Sequence, residues 1–416
     1  MADSLRILWL KTGPLHPLDT GGKIRTYNML RELKREHEVT YHSLWPHGTD
    51  ESARELAAEY STRQIWIPWK ETPKRSLAFF SELAMNFGMS RLPYAIDKYV
   101  SSMWADAIQQ AEKSGASNLI VCDFLTPAVN LYSRRRRPKL PVLLFQHNVE
   151  SLIWKRTYEN AGGVARPYFR NQWQRMLRFE KEACAQADQV CAVSVEDANL
   201  LRTELGLTNV CGAVPTGVDL DFFQPSREGR KPLSLVFLGS MDWMPNIDGI
   251  CWFTKEVWPT VKAKHPDAHL TIVGRRPVPA VRELGERDSA ITVTGTVDDV
   301  RPYLAEASAM IVPLRVGGGT RIKIFEGMAT GIPCLSSRIG AEGLPVTHGD
   351  DVLLADEPAE FAREINFLFE QPAKAKAIGD RGRKLVAANY GWSKVNEVFV
   401  SHCLATVNQA DARARG

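Results

Sequence analysis

Short apolar runs recur along this chain. Each is closed by a polar turn and followed by a segment whose apolar residues repeat at helical spacing. In the first half the runs are residues 7–10, 39–44, 119–122, 142–145 and 190–194; in the second, 233–238, 269–273, 291–293, 309–314 and 332–335. Runs this short and this apolar are the mark of strands buried on both faces. Strands that alternate with helices pair in parallel, because each crossover helix returns the chain to the same end of the sheet. The alternation pauses at the polar, proline-flanked stretch 225–232 and then restarts. The predicted class is therefore α/β, with two Rossmann-like doubly wound parallel sheets facing across a cleft. The predicted domains are 1–224 and 225–392, with helices from about residue 393 packing back on the first. Ligand is expected at the carboxyl ends of the strands.

Two of the turns share an unusual chemistry. After 7–10 the loop Asp19-Thr20-Gly21-Gly22 opens a helix marked by Ile24, Tyr27, Leu30 and Leu33. After 309–314 the loop Val316-Gly317-Gly318-Gly319-Thr320 opens a helix that runs to Gly331. Free amides at a helix start bind anions, and glycine lets the backbone approach a ligand closely. A first helical turn normally takes Asp or Glu, because the positive end of the dipole lies there. These two carry cations instead: Lys23 and Arg25 in one, Arg321 and Lys323 in the other. Paired cations at a positive helix end repel unless an anion sits between them, so a phosphate or diphosphate is expected, held by one loop from each half. The competing reading is a pair of ordinary glycine turns followed by surface helices with solvated cations.

Other features bound the function. The 416 residues are 24% charged and 44% hydrophobic, which suits a soluble two-domain protein. A net charge of +4 does not argue for nucleic acid. No apolar run reaches the length of a spanning helix, and the N-terminal apolar stretch is too short for a secretion signal. The expected location is the cytoplasm, with the inner face of the membrane as the place of any peripheral contact. The seven cysteines are scattered without a CxxC pair and read as buried thiols in a reducing compartment, with no metal and no cofactor expected. Residues 75–112 are rich in aromatics and read as core helices on a sheet, or alternatively as an acceptor groove or membrane-touching surface. The basic cluster Arg134 to Arg137 with Lys139 reads as a solvated loop or a contact for anionic headgroups. The helix over 166–187, with Arg166, Arg170, Arg175 and Arg178, reads as a solvated basic face. His147, in the polar turn after 142–145, reads as a structural histidine or as a group that touches a substrate hydroxyl.

Taken together, several motifs resemble those of the GT-B glycosyltransferases of family 4 over nearly the whole chain. They are Gly21-Gly22, Pro215-Thr216-Gly217-Val218-Asp219, Gly239-Ser240-Met241-Asp242-Trp243-Met244-Pro245-Asn246, and the run from Gly317 through Glu326 to Ala329. The resemblance implies a nucleotide-diphosphate-sugar donor of UDP or GDP type, bound mainly to the second domain. It implies transfer with retention, without a metal, to an unknown glycan or lipid-linked acceptor, in polysaccharide or glycolipid biosynthesis. By the same resemblance Glu326 holds the donor ribose, Gly21 and Gly22 lie near the diphosphate, and His147 contacts the donor sugar. Gly274, Arg275 and Val297 lie where the family meets the base.

This sequence departs from the family at two places. Gly318 stands where many members carry a second glutamate, and Ser240 where many carry an arginine. The expectation is that Arg321 and Lys323, with the amides of Gly317, Gly318, Gly319 and Thr320, neutralise the diphosphate instead. A nucleotide-sugar epimerase and a non-catalytic GT-B subunit remain the alternatives.

Overall fold

The computed structural model describes residues 4–132, 137–163, 165–225, 229–316 and 322–415. The chain forms two compact units, one of residues 1–215 with 395–416 and one of residues 216–394. The division falls before the polar stretch at 225–232, because 216–224 are tied to the second unit. Val218 bridges to Gly391, and Phe223 joins that unit's core.

The first unit holds seven parallel strands: β1 (Arg6–Lys11), β2 (Glu38–Pro46), β3 (Arg63–Trp69), β4 (Leu119–Asp123), β5 (Val142–Phe145), β6 (Gln189–Ala192) and β7 (Val210–Ala213). Their order is β3-β2-β1-β4-β5-β6-β7, so the direction of winding reverses between β1 and β4. Ile7 pairs with Val39 on one side and Leu119 on the other. The register carries Lys11, the last residue of β1, to the level of Asp123, the last of β4.

The second unit has six parallel strands: β8 (Ser234–Leu238), β9 (His269–Val273), β10 (Ile291–Val293), β11 (Ala309–Val312), β12 (Cys334–Ser336) and β13 (Leu353–Leu354). Their order is β10-β9-β8-β11-β12-β13, with the reversal between β8 and β11. Side chains alternate across β8: Leu235 and Phe237 enter one core, Val236 and Leu238 the other. Open α/β sheets leave a crevice at such reversals, outside the carboxyl ends of the strands. Each sheet therefore has one preferred place for a ligand.

The helices that matter for the site are α1 (Gly21–Leu33), α2 (Leu77–Met89), α3 (Ser102–Lys113), α4 (Ala165–Gln186), α5 (Met244–Trp252), α6 (Ile322–Ala329) and α7 (Trp392–Arg415). The core-helix reading of 75–112 holds for α3, where Trp104 and Ile108 are buried, and fails for α2. There Asn86 is the one buried residue, while Leu77 and Met89 are 90% and 84% exposed. Nor is the basic face of α4 simply solvated, since Arg175 donates to the carbonyls of Asn86 and Phe87 at the end of α2. A short helix begins at Arg301, whose backbone N–H donates to Asp299 Oδ1. Not all thiols are buried either; Cys211 and Cys251 are partly exposed. Arg134, Arg135 and Arg136 lie outside the described residues, and Arg137 pairs with Asp188 at 2.6 Å. No helix among the described residues is long and apolar enough to cross a membrane.

Candidate functional site

The crevice of the first sheet is lined by charge from below. Lys11 and Asp123 end β1 and β4 and meet at 2.6 Å, both buried. The same carboxylate oxygen accepts from Thr26 Oγ1 at 2.7 Å and from Trp9 Nε1 at 3.1 Å. The other, Oδ1, lies 2.7 Å from His147 Nε2, a close contact that is off the line of a hydrogen bond. Burial alone would raise the Asp123 carboxyl, but Lys11 and His147 outweigh it and hold the group below the usual carboxylate range. Burial pulls His147 down to about 4, against the attraction of Asp123, so its ring is neutral at pH 7. The ring stacks on Phe124 with centroids 3.7 Å apart. Phe124 itself takes the left-handed backbone, φ 71°, which turns its ring over the start of α1.

That ring explains Gly22. A Cβ there would stand 2.9 Å from Phe124 Cζ, so the glycine makes room for the aromatic that supports His147. Gly21 opens the same helix and is exposed. The expectation that Lys23 and Arg25 both face a bound anion is not met. Lys23 is paired with Asp19 at 3.0 Å. Arg25 is buried, donates to the Val214 carbonyl and lies over the Phe145 ring. At helix spacing Arg25 falls on the inward face of α1, so it serves packing rather than the loop mouth.

The turn that carries His147 is braced from behind by a buried acid. Glu180 of α4 accepts the amides of Glu150 and Ser151 at 2.8 and 2.9 Å and the Gln146 side chain at 3.0 Å. Burial pushes its carboxyl up to about 7, though the Ser151 and Glu150 donors oppose the rise. The acid supplies partners for a helix start that would otherwise leave orphan amides inside the protein.

The crevice of the second sheet is lined by two loops and a helix. Gly239 and Ser240 follow β8, Gly274 and Arg275 follow β9, and α6 follows β11. Gly274 passes so close to the first loop that a Cβ would sit 1.6 Å from the Gly239 carbonyl oxygen. No side chain fits there, which gives this glycine a packing reason independent of any base contact. Arg275 Nε donates to Ser240 Oγ at 2.8 Å, and Ser240 donates to Asp242 Oδ1 at 2.6 Å. The Ser240 hydroxyl, followed by Arg275 and Arg276, holds the Asp242 carboxyl below its usual range.

From the other side Lys323 Nζ donates to Asn246 Oδ1 at 2.8 Å, and Asn246 donates to the Ser240 carbonyl at 2.9 Å. Lys323 also lies over the Phe237 ring, 4.9 Å from its centroid. Glu326, one turn further, is partly buried, and burial raises its carboxyl to about 7 despite Lys323. Val297 packs against the core of this unit. Gly317, Gly318, Gly319, Thr320 and Arg321 lie outside the described residues.

Ser240, Gly274, Arg275, Lys323 and Glu326 therefore belong to one crevice, and His147, Gly21 and Gly22 to the other. Lys11, Thr26, Asp123 and Glu180 were not singled out from sequence, and Asn246 stood at the end of a motif without a role of its own. The signal for two of them was present: Lys11 and Asp123 close apolar runs with opposite charges, at strand ends that the topology makes neighbours.

Comparison with known proteins agrees with this layout. Residues 232–371 match the model of the glycosyl transferases group 1, and residues 20–222 that of Glycosyltransferase Family 4. An uncharacterized 44.6 kDa protein in the cps region of Klebsiella pneumoniae is 22% identical over 263 residues, 61% of this chain and 66% of that protein. The MMP alpha-(1->4)-mannosyltransferase of Mycolicibacterium hassiacum is 26% identical over 234 residues, 54% of this chain and 56% of that protein. The alignments thus span between about half and two thirds of the curated relatives' length. Among solved structures, HepE from Anabaena in complex with UDP and glucose superposes with a TM-score of 0.62 at 14% identity. The superposition covers 96% of this chain and 99% of that one.

Proposed function

Because this chain belongs to the group 1 glycosyltransferases of the GT-B fold, we propose that it moves a sugar from a nucleotide-diphosphate-sugar to a glycan or lipid-linked acceptor. Transfer is with retention at the anomeric carbon and without a metal at the diphosphate, in polysaccharide or glycolipid biosynthesis at the cytoplasmic side of the membrane. The observation that carries the reading is the cationic crevice of the second sheet, where Lys323 and Arg275 converge on the β8–α5 loop through Asn246 and Ser240. Arg275 brings a guanidinium to the position where Ser240 replaces the family's arginine.

In the transition state the sugar gains positive charge and the leaving diphosphate negative charge. Fixed cations and amides aimed at the diphosphate lower that barrier. Lys323, Arg275, Arg321 and the amides of Gly317, Gly318, Gly319 and Thr320 take that role. The leaving phosphate oxygen accepts the proton of the attacking hydroxyl, so the acceptor oxygen gains the glycosyl group and the nucleotide diphosphate leaves protonated. His147, neutral and held against Asp123, offers its ring to a sugar hydroxyl. Glu326 accepts from the ribose hydroxyls.

A panel of nucleotide-sugars tests the reading, with release of nucleotide diphosphate as the signal and Glu326→Ala as control. The mannosyltransferase relative makes mannosyl donors the first to try. Release from one donor, lost in the control, is expected. Conversion of the donor to its epimer would instead mark an epimerase. Silence together with no donor binding by calorimetry would mark a non-catalytic subunit.

Glu326 gives a pH signature. Its carboxyl is raised to about 7, so it becomes protonated as pH falls through that value and can no longer accept two hydroxyl protons. Donor affinity should fall below neutrality, approaching about tenfold per pH unit, by linkage between ionisation and binding. Glu326→Gln should flatten the profile; calorimetry from about pH 5.5 to 8 reads both.

The acceptor side also has a reading. Helix α2 exposes Leu77, Phe80, Met85 and Met89, flanked by exposed Lys74, Arg75 and Arg91. A cavity of about 440 Å³ opens beside it, lined by Trp69, Glu82, Met85, Asn86 and Tyr94. Apolar side chains rimmed by cations suit an anionic lipid surface. The double substitution Leu77→Asp with Met89→Asp should weaken binding to anionic vesicles roughly tenfold or more, since two exposed apolar side chains that would insert into the lipid are lost. Equal co-sedimentation of variant and parent would discard this surface.

A further inference from the structure

Away from both crevices, the far edge of the first sheet brings together two thiols and an imidazole. Cys191 is on β6, Cys211 on β7 and His402 on α7, and their ligand atoms all lie within 4.8 Å of one another. The local geometry is built for this meeting. Val190 pairs with Val210, but Cys191 pairs with Gly212, so Cys211 is the extra residue of a bulge. A bulge re-aims a side chain, and here the thiols of neighbouring strands come to one side. Gly212, at φ 148°, then leaves space: a Cβ there would stand 3.2 Å from His402 Cε1.

The helix that carries His402 is seated independently of it. Phe399 packs on Trp9 and Phe145, with centroids 5.6 and 5.3 Å apart. Arg413 pairs with Asp188 at 3.2 Å, and Gln189 donates to Gln409 at 3.2 Å. The imidazole is thus delivered to the thiols by a helix already fixed on both sides of it.

We propose that Cys191, Cys211 and His402 form a three-ligand site for a soft divalent cation of the zinc class, which clips α7 to the β6–β7 edge. Two thiolates and a neutral imidazole are the donors such an ion prefers, and they disfavour magnesium or calcium. A tetrahedral zinc with bonds of about 2.0–2.3 Å keeps its ligand atoms roughly 3.5–3.8 Å apart. Small rotamer changes from the present spacing achieve that. Binding releases the two thiol protons to solvent, and the fourth position is left for water. Cys211 and His402 are partly exposed, which gives the ion a path in.

The 416-residue chain, reduced with a phosphine and freed of metal by a chelator, is titrated with Co²⁺ and then Zn²⁺. One equivalent of cobalt should produce a thiolate-to-cobalt charge-transfer band, and one equivalent of zinc should erase it. Loss of an outer-shell partner typically costs a metal site about 10–100-fold. Cys211→Ser and His402→Gln, checked for folding by circular dichroism, should therefore weaken cobalt binding by at least that much. Cys251→Ser, in the other unit, should leave it unchanged.

Peptide-resolved alkylation of the unmutated chain gives a second readout that needs no variant. Zinc should protect Cys211 and leave Cys251 reactive. Absence of the band at stoichiometric cobalt would overturn the site. So would an unchanged band in both ligand variants, or equal reactivity of Cys211 with and without zinc. Closure of a Cys191–Cys211 disulfide by dissolved oxygen once the phosphine is removed, with no metal uptake, would overturn it too, and would assign the pair to redox chemistry. None of these readouts involves sugar transfer.

Discussion

Asp123→Ala should strip hydrogen-exchange protection from β1 and β4 by about 3–5 kcal/mol, the range for breaking a buried ion pair from one side. The carboxylate is the acid partner of the buried Lys11 and also accepts hydrogen bonds from Thr26 and Trp9. Its removal leaves a hydroxyl and an indole N–H without their acceptor inside the core, and strips the countercharge from the Lys11 ammonium, which keeps only its hydrogen bond to Thr26 Oγ1 among the described residues. The imidazole of His147 loses its neighbour as well. Asp123→Asn should cost less, because a polar acceptor of the same shape remains. The sign with pH follows from the depressed carboxyl. Stability from this group is present above its unfolded value of about 4 and is lost as pH falls toward the folded value. Unchanged protection in the alanine variant would show that the pair contributes nothing net. The effect on turnover should accompany the effect on the first unit, because the same carboxylate orients His147.

The second large effect is expected at Lys323. Lys323→Ala should lower kcat/KM for donor-dependent transfer by roughly a hundredfold, about 3 kcal/mol of lost stabilisation at the leaving diphosphate. The residue also donates to Asn246, so a structural role has to be separated from a charge role. Lys323→Gln keeps a donor for Asn246 and removes the charge. If charge carries the effect, glutamine should be as damaging as alanine. Recovery in the glutamine variant would reduce Lys323 to a positioning residue for the β8–α5 loop. Arg321→Ala, tested beside it, asks whether the second cation of the sequence pair shares the task. Retained turnover and donor affinity in both alanine variants would refute the idea that these cations replace the arginine absent at Ser240.

The sequence by itself determined the fold class, because it follows from local chemistry. Continuous apolar runs such as 119–122 and 142–145 can only be strands covered on both faces, and helices between them force parallel pairing. The strands it did not reveal are β3, β7 and β13, all at sheet edges. An edge strand is half-exposed and free to break the apolar pattern, as Pro68 does in β3 and Gly212 in β7. The helix opened by Gly21 and Gly22 and the helix that carries Glu326 were likewise legible, since backbone freedom and helix spacing are local properties.

Partnership was a matter for the tertiary structure. Lys23 and Arg25 look alike in sequence, yet one pairs with Asp19 on the surface and the other is buried against Val214. Lys11 and Asp123 are more than a hundred residues apart and become neighbours only because β1 and β4 flank the reversal of the first sheet. Cys191, Cys211 and His402 form no spacing motif; a bulge in β7 and the return of α7 bring them together. What a residue is can be read along the chain. Which charge neutralises it, and whether water reaches it, depends on strand order and register, and these are set by contacts between segments distant in sequence.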